Sequence, residues 1–181
     1  MARIELWNGD ICDLEVDAIV NPANVTLWMA TGVGGAIKRA GGDAIEFAAV
    51  RNGPQPLGSA IVTEAGTLAA KAVIHAVSLD RDRRTNGPII EAATRSAMAR
   101  AREIGAASVA FPALGTGVGG FPLDEAARIT VAAVRDELEG SPSIQHVVFA
   151  LRGAAAYDAF GRALAEPAAR PVRPPAGERR A

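Results

Sequence analysis

Hydrophobic residues along this chain recur at two spacings, one typical of strands and one typical of helices. Short apolar runs predict strands at residues 3–7, 17–21, 60–65, 72–77, 107–111 and 145–151. Apolar residues at every third or fourth position predict helices at residues 36–50, 90–104, 123–138 and 154–164. Because strands and helices are interleaved, we expect an α/β fold with a mixed, mainly parallel sheet and helices on both faces.

Prolines indicate where one strand and the folded domain end. Pro22 is expected to end the strand at 17–21, because proline has no N–H to donate to a neighbouring strand. Residues 1–166 are expected to form one domain. Four prolines and four arginines in the remaining fifteen residues predict a disordered tail at 167–181, with a basic interaction arm as the alternative.

Composition narrows the functional classes. The chain has 19 basic and 20 acidic residues, which gives no electrostatic basis for nonspecific binding to nucleic acids. Cys12 is the only cysteine, so a reducing compartment such as the cytoplasm is expected. No secretion signal or membrane-spanning run is found, so we expect no membrane contact. His75 and His146 do not have the close spacing of a metal site, so we expect no bound metal. His75 lies in an apolar predicted strand, so we expect it to be packed in the core.

Two glycine-rich segments indicate a phosphate site. Residues 115–120 contain four glycines and connect a predicted strand to a predicted helix. Such a loop allows positive φ and exposes backbone N–H groups beside a helix N-terminus, which favours phosphate or pyrophosphate. The alternative is a simple tight turn, although two or three residues suffice for one. A second glycine-rich segment at 31–37 also leads into a helix, so the pair suggests a clamp on a ligand with more than one phosphate.

Polar residues gather after the predicted strands, at the edge where ligands bind in parallel sheets. The residues and loops that follow strand ends are Asp10, Asn21, Asn24, 32–35, 115–120 and Arg152. We therefore expect them to share one binding edge.

The glycines at 115, 117 and 120 also fit the pattern G-x-G-x-x-G, which keeps open a Rossmann-like NAD(P)-dependent oxidoreductase. This fingerprint usually lies at the first strand-to-helix turn, with an acidic residue at the end of the next strand. Here the next strand ends at Leu151 and Arg152. The oxidoreductase is therefore the weaker alternative, and no P-loop motif is present.

Four segments together carry a resemblance to a known family: 9–11 (GDI), 16–24 (VDAIVNPAN), 32–37 (GVGGAI) and 111–122 (FPALGTGVGGFP). In this order and spacing they resemble a macrodomain, the ADP-ribose-binding module, over residues 2–165. The resemblance implies a three-layer α/β/α sandwich. It also implies ADP-ribose, an ADP-ribosylated protein or O-acetyl-ADP-ribose as the ligand, and no cofactor.

The resemblance assigns a role to each motif residue. Asp10 would accept a hydrogen bond from the adenine amine, with Ile11 beside it, and Asn24 would hold the distal ribose. Arg152 would stack on the adenine, where many relatives have an aromatic residue. The residues that would cradle the pyrophosphate are Gly32, Val33, Gly34, Gly35, Ala36, Gly115, Thr116, Gly117, Val118 and Gly119.

Two departures from the family pattern concern catalysis. Many hydrolytic relatives have an aspartate at the position of Gly34 and an aromatic residue at the position of Gly119. Without them we expect binding with slow hydrolysis of mono-ADP-ribosyl esters or O-acetyl-ADP-ribose. Asn24 is then the candidate catalytic residue, together with the phosphate of the substrate itself.

Overall fold

The computed structural model describes residues 2–140 and 142–167. Within these residues the strands are β1 (Arg3–Asn8), β2 (Ala18–Asn24), β3 (Ala60–Glu64), β4 (Ala72–Leu79), β5 (Ser108–Phe111) and β6 (His146–Leu151). The helices are α1 (Gly32–Gly41), α2 (Asp43–Val50), α3 (Gly87–Glu103), α4 (Leu123–Glu139) and α5 (Ala154–Ala165), with a short 3-10 helix at Ile11–Asp13.

The strands form one sheet in the order β1-β6-β5-β2-β4-β3. Four of the neighbouring pairs are parallel, and only the hairpin of β3 and β4 is antiparallel. This arrangement confirms the predicted mixed, mainly parallel sheet. Because the parallel strands all run the same way, the segments that follow β1, β2, β5 and β6 emerge at one edge.

Helices cover both faces of the sheet, as predicted. Phe111 and Phe149 point toward α3, α4 and α5, where they form one core with the apolar residues of those helices. Ala110 directly precedes Phe111 in β5, so its side chain faces the opposite side of the sheet, where Ile37 of α1 and Ile45 of α2 pack. The result is the three-layer α/β/α sandwich that the sequence analysis expected.

The predicted end of the second strand at Pro22 is wrong. β2 continues through Pro22, which lies opposite Ala76 of β4. On its other side β2 pairs with β5 only at Ala18 and Ile19, so that edge of β2 has no strand beside Pro22. A residue without an N–H is therefore tolerated there, because no ladder bond is required along that edge.

The single predicted helix at 36–50 is also wrong, because the segment forms two helices. Gly42 separates them with a φ of 103°, a conformation that residues with side chains avoid. α1 begins at Gly32, four residues earlier than predicted. The first glycine-rich segment is therefore the opening turn of a helix rather than a loop before it.

The predicted tail at 167–181 lies outside the described residues except for its first residue, and the domain boundary at 166 stays a prediction. In the described part of the chain, no helix has both the length and the apolar character needed to cross a membrane.

A candidate ligand-binding cleft

A cleft of about 460 Å³ opens at the carboxyl ends of the parallel strands, within the size range of small-molecule sites. The predicted site residues that line it are Asp10, Ile11, Gly32, Val33, Gly34, Ala36, Gly115, Thr116, Gly117, Val118, Gly119 and Arg152. They come from four separate segments of the sequence. The structure brings them together because each segment follows a strand that ends at the same edge of the sheet.

Of the residues to which the resemblance assigned a role, Asn24 and Gly35 do not line this cleft. Asn21 and Gly120, which were expected at the same edge, do not line it either. Gly35 is buried in the first turn of α1. The Asn24 side chain is engaged locally: its Oδ1 accepts from the Thr26 N–H at 2.9 Å and from the Thr26 hydroxyl at 2.6 Å, and its Nδ2 lies 3.3 Å from the Trp28 carbonyl oxygen. Asn24 thus stabilises the turn that follows β2, and its predicted role toward ribose stays a prediction.

The sequence analysis missed several lining residues, most of them small or apolar. They are Gly9, Pro22, Thr31, Arg39, Leu79, Pro112, Ala113, Ala150, Leu151 and Ala156. The charged residue among them is Arg39, which follows Gly32 and Ala36 on one face of α1. A helical spacing of four and then three residues is the signal that would have identified it.

The N-terminus of α1 supplies the first group of hydrogen-bond donors in the cleft. Thr31 precedes the helix, but its side chain makes no capping hydrogen bond to the first turn. The opening N–H groups of an α-helix have no carbonyl partner within the helix, and the helix dipole adds partial positive charge there. Since Gly32, Val33 and Gly34 line the cleft, this end of α1 is suited to bind an anion.

The loop at 112–121 supplies the second group. Gly115 and Gly120 have φ angles of 77° and 60°, and the loop is closed by a hydrogen bond of 3.0 Å from the Phe121 N–H to the Gly115 carbonyl oxygen. Within residues 2–140 and 142–167, the N–H groups of 116–119 donate to no carbonyl oxygen. Successive N–H groups in such a turn form an anion-binding concavity, here on the same cleft as the N-terminus of α1.

The glycines of this loop have different roles. Gly117 has no positive φ, and a Cβ added there would meet no atom within 4 Å, so its position opens into space along the cleft. A Cβ at Gly119 would lie 2.6 Å from the Gly115 carbonyl oxygen and 2.8 Å from Leu79 Cδ2. This loop conformation therefore leaves no room at 119 for an aromatic side chain.

Asp10 and Arg152 lie on the side of the cleft formed by the ends of β1 and β6. Asp10 Oδ1 accepts from the Cys12 N–H at 3.0 Å, and Oδ2 pairs with the Arg152 guanidinium. Burial raises the pKa of Asp10, but the Cys12 N–H and the Arg152 charge outweigh it, so the pKa of Asp10 lies below its usual value. Asp10 therefore presents a charged acceptor to the cleft.

Cys12 is next to this carboxylate but is not a nucleophile. Burial, followed by the neighbouring Asp10, raises the pKa of the Cys12 thiol to about 12. The thiol is protonated at neutral pH, and the protonated form is a poor nucleophile.

A buried chain of polar side chains runs from Thr63 of β3 through His75 to Asn21 of β2. The Thr63 hydroxyl donates to the Glu64 carbonyl oxygen, so it accepts from His75 Nε2 at 2.8 Å. His75 Nδ1 is then unprotonated and accepts from Asn21 Nδ2 at 3.1 Å. Burial lowers the pKa of His75 to about 4, so the ring is neutral at physiological pH.

The far end of this chain reaches Gly34. Asn21 Oδ1 is buried and has no hydrogen-bond partner among the residues that the structure describes. A Cβ added at Gly34 would lie 3.0 Å from that oxygen. The glycine therefore brings the first turn of α1 close to the Asn21 side chain, and a side chain at 34 requires a small shift.

Comparison with known proteins shows which family this chain resembles. The model of the Macro domain family matches residues 20–130. A protein of Mycobacterium tuberculosis strain H37Rv is 46% identical over 164 residues, which cover 91% of this chain and 45% of that relative. The macro domain-containing protein TTE0995 of Caldanaerobacter subterraneus is 42% identical over 170 residues, covering 91% of this chain and 97% of the relative. This chain thus spans under half the length of its mycobacterial relatives.

Solved structures that resemble this chain are also macrodomains. A Trypanosoma brucei macrodomain in complex with ADP-ribose superposes with a TM-score of 0.83 at 29% identity, covering 89% of this chain and 68% of that one. An Oceanobacillus iheyensis macrodomain with ADP gives 0.80 at 26% identity, with 88% of each chain covered. The Rossmann alternative is not supported, because the strand order here differs from the dinucleotide-binding order and β3 is antiparallel. The chain belongs to the macrodomain family.

Proposed function

We propose that this chain binds ADP-ribose, free or attached to a protein, in the cleft at the carboxyl ends of its strands. The observation that carries the proposal is that two sets of backbone N–H groups, at the start of α1 and at 116–119, line one cleft and have no carbonyl partner among the described residues. Two such sets of donors on one cleft suit a diphosphate. Membership in the macrodomain family and the neighbours solved with ADP and ADP-ribose support the same ligand.

The remaining groups of the ligand follow from this placement. With the diphosphate between the two donor groups, the adenine extends toward Asp10 and Ile11, where the ionised carboxylate accepts from the exocyclic amine. The planar guanidinium of Arg152 stacks on the base while it stays paired with Asp10. The distal ribose then extends in the opposite direction, toward Gly119 and Leu79.

Hydrolysis is a slower, secondary activity in this proposal. Neither Gly34 nor Gly119 supplies a base or a ribose-facing ring, and Asn24 is engaged by Thr26. Water activation therefore depends on the phosphate of the substrate or on a rearranged Asn24. The substrates in this proposal are mono-ADP-ribosyl esters on a protein and O-acetyl-ADP-ribose.

Residues 1–166 form the binding module in this proposal, and the protein works in the cytoplasm. The single cysteine of the sequence supports that compartment, since a protein that needs no disulfide suits a reducing environment.

Calorimetric titration tests the proposal directly. We expect one molecule of ADP-ribose to bind per chain, and ADP to bind more tightly than GDP because guanine presents an acceptor where adenine presents its amine. Absence of ADP-ribose binding contradicts the proposal. A second assay follows the release of ADP-ribose from an ester-linked mono-ADP-ribosylated protein, where slow release is expected and rapid turnover would contradict the assignment of binding as the main activity.

A further inference from the structure

Trp7 is a large aromatic residue beside the end of the cleft where Asp10 lies, and the proposed function gives it no role. It lies near the end of β1, an edge strand, and is opposite Ala150 of β6. The preceding Leu6 packs against the core on the α5 side of the sheet. Because side chains alternate along a strand, Trp7 lies on the other face, the face of Ala150, which lines the cleft.

The indole ring of Trp7 packs against the backbone of Gly9. A Cβ added at Gly9 would overlap Trp7 Nε1 and would lie 2.9 Å from Trp7 Cε2. The Gly9 N–H also donates to the Leu151 carbonyl oxygen at 3.0 Å. Since Gly9 does not have a positive φ, the contact with the ring is what requires a residue without a side chain at this position.

This contact bears on the position of Asp10. Gly9 directly precedes Asp10, and both residues line the cleft. A hydrogen bond from a base to the Asp10 carboxylate requires a separation of about 2.7–3.2 Å, so a small shift of this backbone is enough to lose it. The ring that holds Gly9 therefore also holds the acceptor in place.

Trp7 can be changed without removing a central part of the core. Its side chain is 42% exposed, at the edge of the sheet. A truncated side chain there takes away less buried apolar surface than it would in the interior. Its effect on ligand recognition can thus be measured in folded protein.

Resting on the proposed function, we infer that Trp7 is a specificity-determining positioning residue for the base. The indole fixes Gly9, so that the neighbouring Asp10 carboxylate meets the exocyclic amine of adenine. Guanine presents a carbonyl oxygen at the same place, and a carboxylate cannot accept a hydrogen bond from it. Trp7 thus acts on the choice of base through Gly9 and Asp10, while the backbone N–H groups bind the diphosphate of either nucleotide.

The test compares the affinities for ADP and GDP by calorimetry. We expect the wild type to prefer ADP about tenfold, the size of one hydrogen bond to a charged group. Trp7→Ala should reduce this preference to about twofold by weakening ADP, and Trp7→Phe should keep part of it because a ring remains over Gly9. Phe47→Ala is the matched control, since Phe47 is an exposed aromatic residue on α2 that does not line the cleft.

A double-mutant cycle tests whether Trp7 acts through Gly9. Gly9→Ala places a Cβ where the indole lies and displaces the ring, without the strain of a positive φ. We expect Gly9→Ala to reduce the ADP preference as Trp7→Ala does, and the double variant to show no further loss. Additive losses would mean that the two residues act independently and would overturn the inference.

Two other results would overturn the inference. One is an unchanged ADP preference in Trp7→Ala or in Gly9→Ala. The other is an equal loss of ADP and GDP affinity in Trp7→Ala, which would place its effect on the diphosphate. Failure of the proposed function is distinguishable: a wild type that does not bind ADP-ribose overturns both, whereas one that binds ADP-ribose and prefers ADP without Trp7 overturns only this role of Trp7.

Discussion

Asp10 and Arg152 form an ion pair on the wall of the cleft, although they are 142 positions apart in the sequence. Each follows the last residues of its strand, Asp10 after β1 and Arg152 after β6, and those strands are parallel neighbours. The pair places a charged acceptor and a planar cation side by side. In the proposed complex, these are the groups that read the edge and the face of the adenine.

Replacing this carboxylate should weaken binding selectively. We expect Asp10→Ala to reduce ADP-ribose affinity by roughly 1.5–3 kcal/mol, because the adenine amine loses a charge-assisted partner. Calorimetry measures the effect. Asp13→Ala is the matched control, since Asp13 is an exposed acid in the same short helix and does not line the cleft. Unchanged affinity in a folded Asp10→Ala protein would remove Asp10 from the site.

Substitutions of two glycines in the loop at 112–121 should have different effects, one on ligand affinity and the other on the stability of the fold. Gly117→Val places a branched side chain in the open space of the cleft, so we expect strong loss of ADP-ribose affinity with little change in the midpoint of thermal unfolding. Gly115→Ala combines a φ of 77° with a Cβ 2.8 Å from Ile90 Cδ1, so we expect it to destabilise the fold by roughly 1–3 kcal/mol. Normal binding by Gly117→Val would show that 116–119 does not hold the diphosphate.

A carboxylate at position 34 should increase hydrolysis. We expect Gly34→Asp to accelerate the release of ADP-ribose from an ester-linked substrate, by up to about 10²-fold, because it adds a general base at the start of α1. The new Cβ meets Asn21 Oδ1 at 3.0 Å, so a stability cost of about 1 kcal/mol accompanies the gain.

The control for this variant is Gly34→Asn, which introduces the same bulk beside Asn21 without a base. We expect it to show the stability cost and no acceleration. Equal rates for the two variants would mean that the carboxylate takes no part in activating water.

Buried His75 should make the stability of the protein depend on pH. Burial lowers its pKa to about 4 in the folded state, against 6.5 for the free side chain. The unfolded chain therefore binds the extra proton first, so the contribution of His75 is fully present above pH 6.5 and is lost as pH falls toward 4. The free energy of unfolding falls by about 3 kcal/mol, because each unit of difference between the two pKa values contributes about 1.36 kcal/mol. Denaturant unfolding at a series of pH values measures it.

His75→Gln should remove that pH dependence, and His146→Gln should not. His146 is half-buried at the start of β6 and is the only other histidine of the sequence. A wild-type free energy of unfolding that stays constant between pH 6.5 and 4 would contradict the neutral, buried state of His75.

The sequence by itself determined most of the architecture. Short apolar runs identified each strand to within a few residues, and the order of strands and helices predicted the mixed sheet and its binding edge. The glycine segments at 32–35 and 115–120 were identified because glycine-rich backbone can expose its N–H groups to a ligand at the start of a helix, and they line the cleft except for Gly35 and Gly120. Hydrophobic spacing and glycine content act over a few neighbouring residues, so they can be recognised from the sequence alone.

Tertiary structure decided what depends on neighbours that are distant in the chain. Pro22 stays inside β2 because β5 pairs with only the first two residues of that strand. Gly119 has to be small because Leu79 and the Gly115 carbonyl occupy the space beside it. The ion pair of Arg152 forms because the fold brings Asp10 next to its guanidinium. Charge pairing and close packing depend on distances in space, and spacing along the sequence does not contain them.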